Sequence, residues 1–447
     1  MLLSFPELLV VLGLTILMGL ECCLAIRSKS WVQIYRPTLF VAIVLSFYAL
    51  VGPLRAILAT GEAANFVNTS GTIYRGLDHR PFLYWGWLGA LLFYAFLLIG
   101  FYISRPLVTA KRLLFQPSPH KIQAWGQYLC VVGLTMYALV NGGKAIYLLN
   151  PFAPEFFRQS FFGLPSIDFG PFNNYFKLAI NLLIPGTVIQ FAAWLRTRKR
   201  LYLVLVWLLI ATLIFLSETF RYRILLLYVP ILLLWFFYLK RRPRLVFLLV
   251  FMFFFVSVNG VIGISRSYIR GLDLSRMSGY SPVQIFNSSF EEAGVFFTTS
   301  AVIDLVPRSQ YFVGLQPVIS ALAQPIPRSL FPSKPQGNYA TNLRTEIYKT
   351  PYSYTAYLNY AEYYIVAGWT SLIGFSFALG LLLRRVWSWF LIHQYEPLAQ
   401  AAYILTASFI YVIVSRGYLA QVVMLYAFTV LPAFVIYWIT AYNHKNA

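Results

Sequence analysis

Eleven apolar runs, most of them long enough to cross a bilayer, are separated by short connections whose charge alternates along the chain. That alternation constrains the fold more than any motif. A span needs about 20 apolar residues, and a chain of 447 residues with 59 % hydrophobic and 11 % charged side chains has little left for soluble domains. Soluble proteins carry roughly a quarter charged residues. The expected fold class is therefore an all-α polytopic integral membrane protein, one transmembrane domain over residues 1–447. The runs are Pro6–Ile26, Pro37–Ala59, Phe82–Ile103, Ile122–Val140, Tyr175–Leu195, Leu201–Ser217, Tyr222–Leu239, Leu245–Ile264, Tyr360–Leu383, Pro397–Val414 and Tyr418–Thr440. MLLSFPELLVVLGL at the start has no basic residue before its apolar stretch, so it reads as a first span and not a cleaved signal.

Charge orients the stack. Alternate connections carry Arg27, Lys29 and Arg36; Arg105, Lys111, Arg112 and Lys121; Arg196, Arg198, Lys199 and Arg200; Lys240, Arg241, Arg242 and Arg244; Arg384 and Arg385; and Lys445, with Glu396 the one carboxylate among them. The positive-inside rule makes these cytoplasmic, with the amino terminus outside and the carboxy terminus inside. The outer connections are then Thr60–Pro81, Asn141–Asn174, Glu218–Arg221, the long segment 265–359 and Ser415–Gly417. They hold Glu62, Asp78, Glu155, Asp168, Glu218, Asp273, Glu291, Glu292, Asp304, Glu346 and, just beyond, Glu362. Acid–base chemistry belongs on that side.

The outer side should be poor in cations, yet it holds Arg221, Arg223, Arg266, Arg270, Arg276, Arg308, Arg328, Arg344 and Arg416. Cations close to hydrocarbon are costly unless something anionic offsets them, which points to a phosphorylated lipid. The net charge of +21 does not point to nucleic acid, because the basic residues punctuate spans and form no soluble basic face. Cys22, Cys23 and Cys130 lie in apolar runs with no disulfide framework or metal-ligand spacing.

Four stretches carry possible chemistry. In LSETFRYRILL, Glu218, Arg221 and Arg223 sit at the outer boundary; an ion pair between Glu218 and Arg221, three apart, and snorkelling of Arg223 to headgroups are the plain accounts, an anion cradle the functional one. In GISRSYIRG, Arg266 and Arg270 are four apart and share a face if the helix continues, which suits a diphosphate as well as headgroup anchoring. Pro282–Val306 reads as a helix with a mixed face, and Tyr311–Ala323 is apolar enough for the membrane interface. In QPIPRSLFPSKP, prolines stiffen the backbone around Arg328 and Lys334, as an anion clamp or a structural lid requires. Tyr339, Tyr348, Tyr352, Tyr354, Tyr357, Tyr360, Tyr363 and Tyr364 read as an interfacial aromatic belt, some of whose rings could stack on sugars. His79 is the one outer histidine, in an exposed turn beside Asp78. No paired aspartates mark a metal site and no cofactor motif occurs, so metal-independent chemistry is expected, with arginines stabilising a departing pyrophosphate.

QPIPRSLFPSKP resembles the P-R-x-[aromatic or Leu]-x-P-x-K-P stretch in the long outer loop of bacterial O-antigen (Wzy-type) and related oligosaccharide repeat-unit polymerases. The preceding EEAGVFFTTSAVIDLVP is similar to the glutamate-x-glycine helix and terminal V-P of that family. The motif likeness covers Glu291–Pro335, with a weaker likeness at Arg221–Arg223; elsewhere it is one of topology. Glu292, Arg328 and Lys334 fall on it, whereas Arg266 and Arg270 do not. The resemblance implies a GT-C-like glycosyltransferase of the bacterial inner membrane. It would join glycan units carried on undecaprenyl pyrophosphate into O-antigen, capsule or exopolysaccharide, with membrane lipids, a flippase and a chain-length regulator as partners. An O-antigen ligase and a lipid-linked glycan flippase are the alternatives; a flippase wants charge near mid-membrane, which the runs lack. The expected general base is Glu292, with Glu218 and Glu346 in reserve. The expected pyrophosphate cradle is Arg221, Arg223, Arg266, Arg270, Arg328, Lys334 and Arg416.

Overall fold

All eleven apolar runs are helical in the computed structural model, which describes residues 3–28, 30–58, 82–104, 118–142, 149–152, 167–242, 245–265, 271–308, 310–327, 329–334, 338–348 and 356–445. The helices are α1 (Phe5–Arg27), α2 (Pro37–Leu45), α3 (Gly52–Leu58), α4 (Leu83–Ile103), α5 (Pro119–Asn141), α6 (Asn173–Leu178), α7 (Leu183–Thr197), α8 (Leu201–Ser217), α9 (Arg221–Tyr238) and α10 (Leu245–Ser265). The outer segment and carboxy-terminal part add α11 (Pro282–Ser288), α12 (Val295–Arg308), α13 (Gln316–Ala323), α14 (Asn338–Tyr348), α15 (Asn359–Ala367), α16 (Trp369–His393), α17 (Pro397–Ser415), α18 (Leu419–Thr429) and α19 (Leu431–Lys445). Among the described residues, seven helical stretches are long and apolar enough to cross a membrane, or eight if α18 and α19, bent by 43°, count as one.

Burial sorts these helices into centre and rim. The apolar stretches containing α7 and α17 are each 89 % buried, whereas that of α1 is 28 % buried and turns Leu9, Leu12, Ile16 and Leu20 outward. A helix apolar all round belongs in a protein interior or a bilayer, and α17 packs on α2, α7 and α9 at the centre. Pairs α4–α16 and α5–α7 make the tightest helix contacts. Gly100 and Gly380 face each other's backbones across the α4–α16 seam, where a Cβ on either would collide with the opposite chain.

Several boundaries depart from the sequence pattern. The stretch Tyr360–Leu383 is not one helix: Gly368, at φ 76°, ends α15 and starts α16. Only glycine takes that conformation readily. Helix α16 then runs on to His393, so Arg384 and Arg385 lie within it and not in a loop. Residues Pro282–Val306 form α11, a 3-10 turn at Glu291–Gly294 and most of α12 instead of one helix, because the chain tightens after Ser288. The second run passes through a π-helical segment at Ser46–Val51, which turns Tyr48 inward. The long segment 265–359 is no loose loop over its described residues: α12 is buried against α4 and α15 and joins the same hydrophobic core as the spans.

The tyrosine belt is also corrected. Tyr339, Tyr357, Tyr360 and Tyr364 are buried. The Tyr360 hydroxyl donates to the Gly86 carbonyl and that of Tyr364 to the Val306 carbonyl, so these rings fasten the outer segment to the bundle.

Candidate functional site

Three short connections converge where α8 meets α9. Helix α8 has 17 residues; at about 1.5 Å per residue it spans less than a ~30 Å hydrocarbon layer. The turn after it is correspondingly tight. Thr219 takes φ 59°, a left-handed conformation unfavourable for a β-branched residue, and the Gly271 amide donates to the Ser217 carbonyl from the outer segment. The first helical residues beyond are Arg221 and Arg223, 4 % and 5 % exposed. Two residues apart on a helix, they diverge.

Arg223 turns back on its own turn. It forms an ion pair with Glu218, which also accepts the Tyr137 hydroxyl from α5, and its guanidinium lies 4.7 Å from the Phe220 ring centre. This group closes on itself.

Arg221 points the other way. Its guanidinium lies against α10, where a Cβ on Gly263 would stand 2.5 Å from one terminal nitrogen. On the far side it reaches within 4.0 Å of Glu292 Oε1, on the 3-10 turn. Glu292 Oε2 accepts the Tyr411 hydroxyl at 2.7 Å and the Tyr48 hydroxyl at 3.2 Å, and those two hydroxyls are 3.1 Å apart. Tyr48 comes from the π segment, a local irregularity often found at functional sites. Tyr411 lies one turn before the end of α17, and Arg416 follows that end. Burial works against the Arg416 charge, but Glu292 and the Tyr411, Tyr48 and Tyr222 hydroxyls outweigh it and hold the guanidinium above its ordinary value.

The turn carrying Arg416 is itself braced. The Gly417 amide donates to the Tyr357 carbonyl, and the Leu419 amide donates to buried Glu362 at 2.8 Å. Glu362 also accepts the Tyr339 hydroxyl at 2.6 Å, linking the turn to α14.

The structure thus gathers Glu292, Arg221 and Arg416 around two tyrosines and sets Glu218 with Arg223 next to them. Arg266, Arg270, Arg328 and His79 lie outside the described residues, as do the side chains of Arg276, Arg344 and Glu346. Arg308 sits apart, 67 % exposed and paired with Asp304 at 2.9 Å. Lys334 donates from its ammonium to the Gln324 and Ile326 carbonyls at 2.8 and 3.0 Å, bonds that hold the proline-rich loop together. Sequence reasoning passed over Tyr48, Tyr137, Tyr411 and Glu362. A hydroxyl near the end of an apolar run was the available signal for Tyr411; Tyr48 falls at the middle of its run, and nothing local marked it or Glu362.

No family model matches this chain, and neither does any curated protein or solved structure.

Proposed function

We propose that this protein is a membrane glycosyltransferase that polymerises undecaprenyl-pyrophosphate-linked oligosaccharide repeat units at the outer face of the bacterial inner membrane. In this reading the chain crosses eleven times, amino terminus outside and carboxy terminus inside. The carrying observation is Glu292, held by the Tyr48 and Tyr411 hydroxyls with Arg221 4.0 Å away and Arg416 coupled to it. Such a group supplies a fixed carboxylate beside guanidinium forks suited to a diphosphate.

The acceptor sugar hydroxyl attacks the anomeric carbon of the donor glycan. The new glycosidic C–O bond forms as the bond from that carbon to the pyrophosphate oxygen breaks. Glu292 takes the hydroxyl proton, and undecaprenyl pyrophosphate leaves with the bonding electron pair. Arg221 and Arg416 face the charge that develops on the leaving oxygen; Arg223 is neutralised by Glu218 and orders the turn. Lys334 contributes through the backbone it binds.

The test is reconstitution in liposomes with lipid-linked repeat units as the sole substrate. A ladder of glycan lengths is expected from the wild type and none from Glu292→Gln, which should still bind the lipid-linked substrate. A full ladder from Glu292→Gln moves the base role to Glu218 or Glu346. Product that forms only when a lipid core is added makes the protein a ligase. Arg266→Ala and Arg328→Ala test the rest of the cradle: long-chain product from both, at unchanged protein levels, removes them from it.

A further inference from the structure

One stretch of the outer segment is built for hydrocarbon instead of water. From Gln310 to Pro327 there is no Asp, Glu, Lys, Arg or His, in a chain of net charge +21. Leu315, Ile319, Leu322 and Ile326 recur at spacings of four, three and four, and all four are exposed, Leu322 by about three-quarters. Preceding them, Tyr311 is 93 % exposed. An aqueous surface helix alternates such a stripe with charge; this one has none.

Its other face fixes where it lies. Pro317, Ser320, Ala321 and Ala323 are buried, and small side chains of this kind let α13 pack closely along α18, the first half of the last, bent membrane stretch. Just before α13, the Val313 amide donates to the Ile365 carbonyl and Phe312 rests on Gly368, the residue before the α16 span. Beyond α13, the Tyr175 hydroxyl donates to the Gln324 carbonyl from the start of another apolar stretch. The segment is thus set beside the ends of two apolar helical stretches, with α13 alongside the body of a third.

Backbone chemistry agrees. A helix leaves its last carbonyls unsatisfied, and in lipid each such group costs several kcal/mol. Here the Gln324 carbonyl accepts from Lys334 and Tyr175, and the Ile326 carbonyl accepts from Lys334. The return turn is sealed by the protein's own donors where a solvated helix end would use water.

We infer that residues 311–327 are a re-entrant element dipping into the outer leaflet beside α18, with phospholipid acyl chains as the partner of its apolar stripe. This does not depend on the catalytic reading. It moves part of the expected extracytoplasmic loop into the membrane.

Spin labels at Leu315, Ile319 and Leu322, one per variant on a background with Cys22, Cys23 and Cys130 replaced by alanine, test it in proteoliposomes. Oxygen should reach them several-fold better than a water-soluble nickel complex, as at Leu209 on the outer face of α8; Ser278, exposed near the start of the outer segment, should show the reverse. Preferential nickel access at the three positions overturns the inference by placing them in water, and low access to both reagents overturns it by showing protein cover. A photo-crosslinking residue at Leu322 in the otherwise native chain gives an independent reading if the cysteine-free background does not fold. An adduct with phospholipid is expected, and an adduct with a second copy refutes the insertion.

Discussion

The site contains two carboxylate–arginine groups assembled from the same residue types to different ends. Glu218 and Arg223 are close in sequence, belong to one turn and make direct contact. Glu292 and Arg221 are far apart in sequence, meet across three connections and stay 4.0 Å apart, with two tyrosine hydroxyls holding the carboxylate. A contact pair consumes its own charge and stabilises geometry. A pair held at a distance by tyrosine hydroxyls keeps a fixed geometry that can act on a bound group. The closed group is therefore read as scaffold and the open one as chemistry.

The sharpest way to break that distinction is a pair of charge-removing variants. Glu292→Gln should lower polymer formation in reconstituted liposomes by about 10²–10⁴-fold with little change in thermal midpoint. Arg223→Ala should do the opposite in kind: it strands Glu218 in a buried setting and should cost about 3–5 kcal/mol of stability, read as a lower midpoint in detergent. If Arg223→Ala folds normally and only activity falls, the two groups have been assigned the wrong way round.

Glu362 is more deeply buried than either Glu218 or Glu292, bonded by Tyr339 and an amide with no guanidinium ion pair among the described contacts. Burial lifts it from 4.5 to about 7, against the pull of the Tyr339 and Leu419 donors. Because its folded value lies above its unfolded one, the native state holds the extra proton between these values, and stability falls as pH rises through that window. The wild-type midpoint should thus drop between about pH 5 and pH 7. Glu362→Gln should flatten that slope; an unchanged slope would assign it to other groups.

Tyr411→Phe removes the shorter of the two hydroxyl bonds to Glu292. A bond to a charged group is worth about 1.5–3 kcal/mol, so turnover should fall roughly ten- to a hundredfold, with Tyr48→Phe falling less. Least of all, Arg308→Ala removes a guanidinium that is 67 % exposed and sits apart from Glu292, and product length and yield should stay unchanged.

What was legible in the sequence follows from the range of each interaction. Apolar run length depends on neighbours within the run, so the helices were found, whereas the local ion pair expected between Glu218 and Arg221 from their spacing forms instead between Glu218 and Arg223, because only the folded turn shows which guanidinium comes back. The break at Gly368 was hidden because the residues on both sides are equally apolar, and only the backbone angle separates α15 from α16. The Tyr48–Glu292–Tyr411 group could not be assembled beforehand, since its members lie 244 and 119 residues apart. Lys334 shows a related limit: a lysine among prolines signals charge, but its carbonyl partners appear only once the loop has closed.

Gly263 offers a handle of another sort. A methyl group there would overlap the end of a flexible side chain and not a rigid backbone. Gly263→Ala would therefore nudge the Arg221 guanidinium aside while leaving its charge, its helix and Glu292 intact. That makes it a fine-adjustment screw, able to tell whether the protein needs a positive charge in this neighbourhood or needs it at one address.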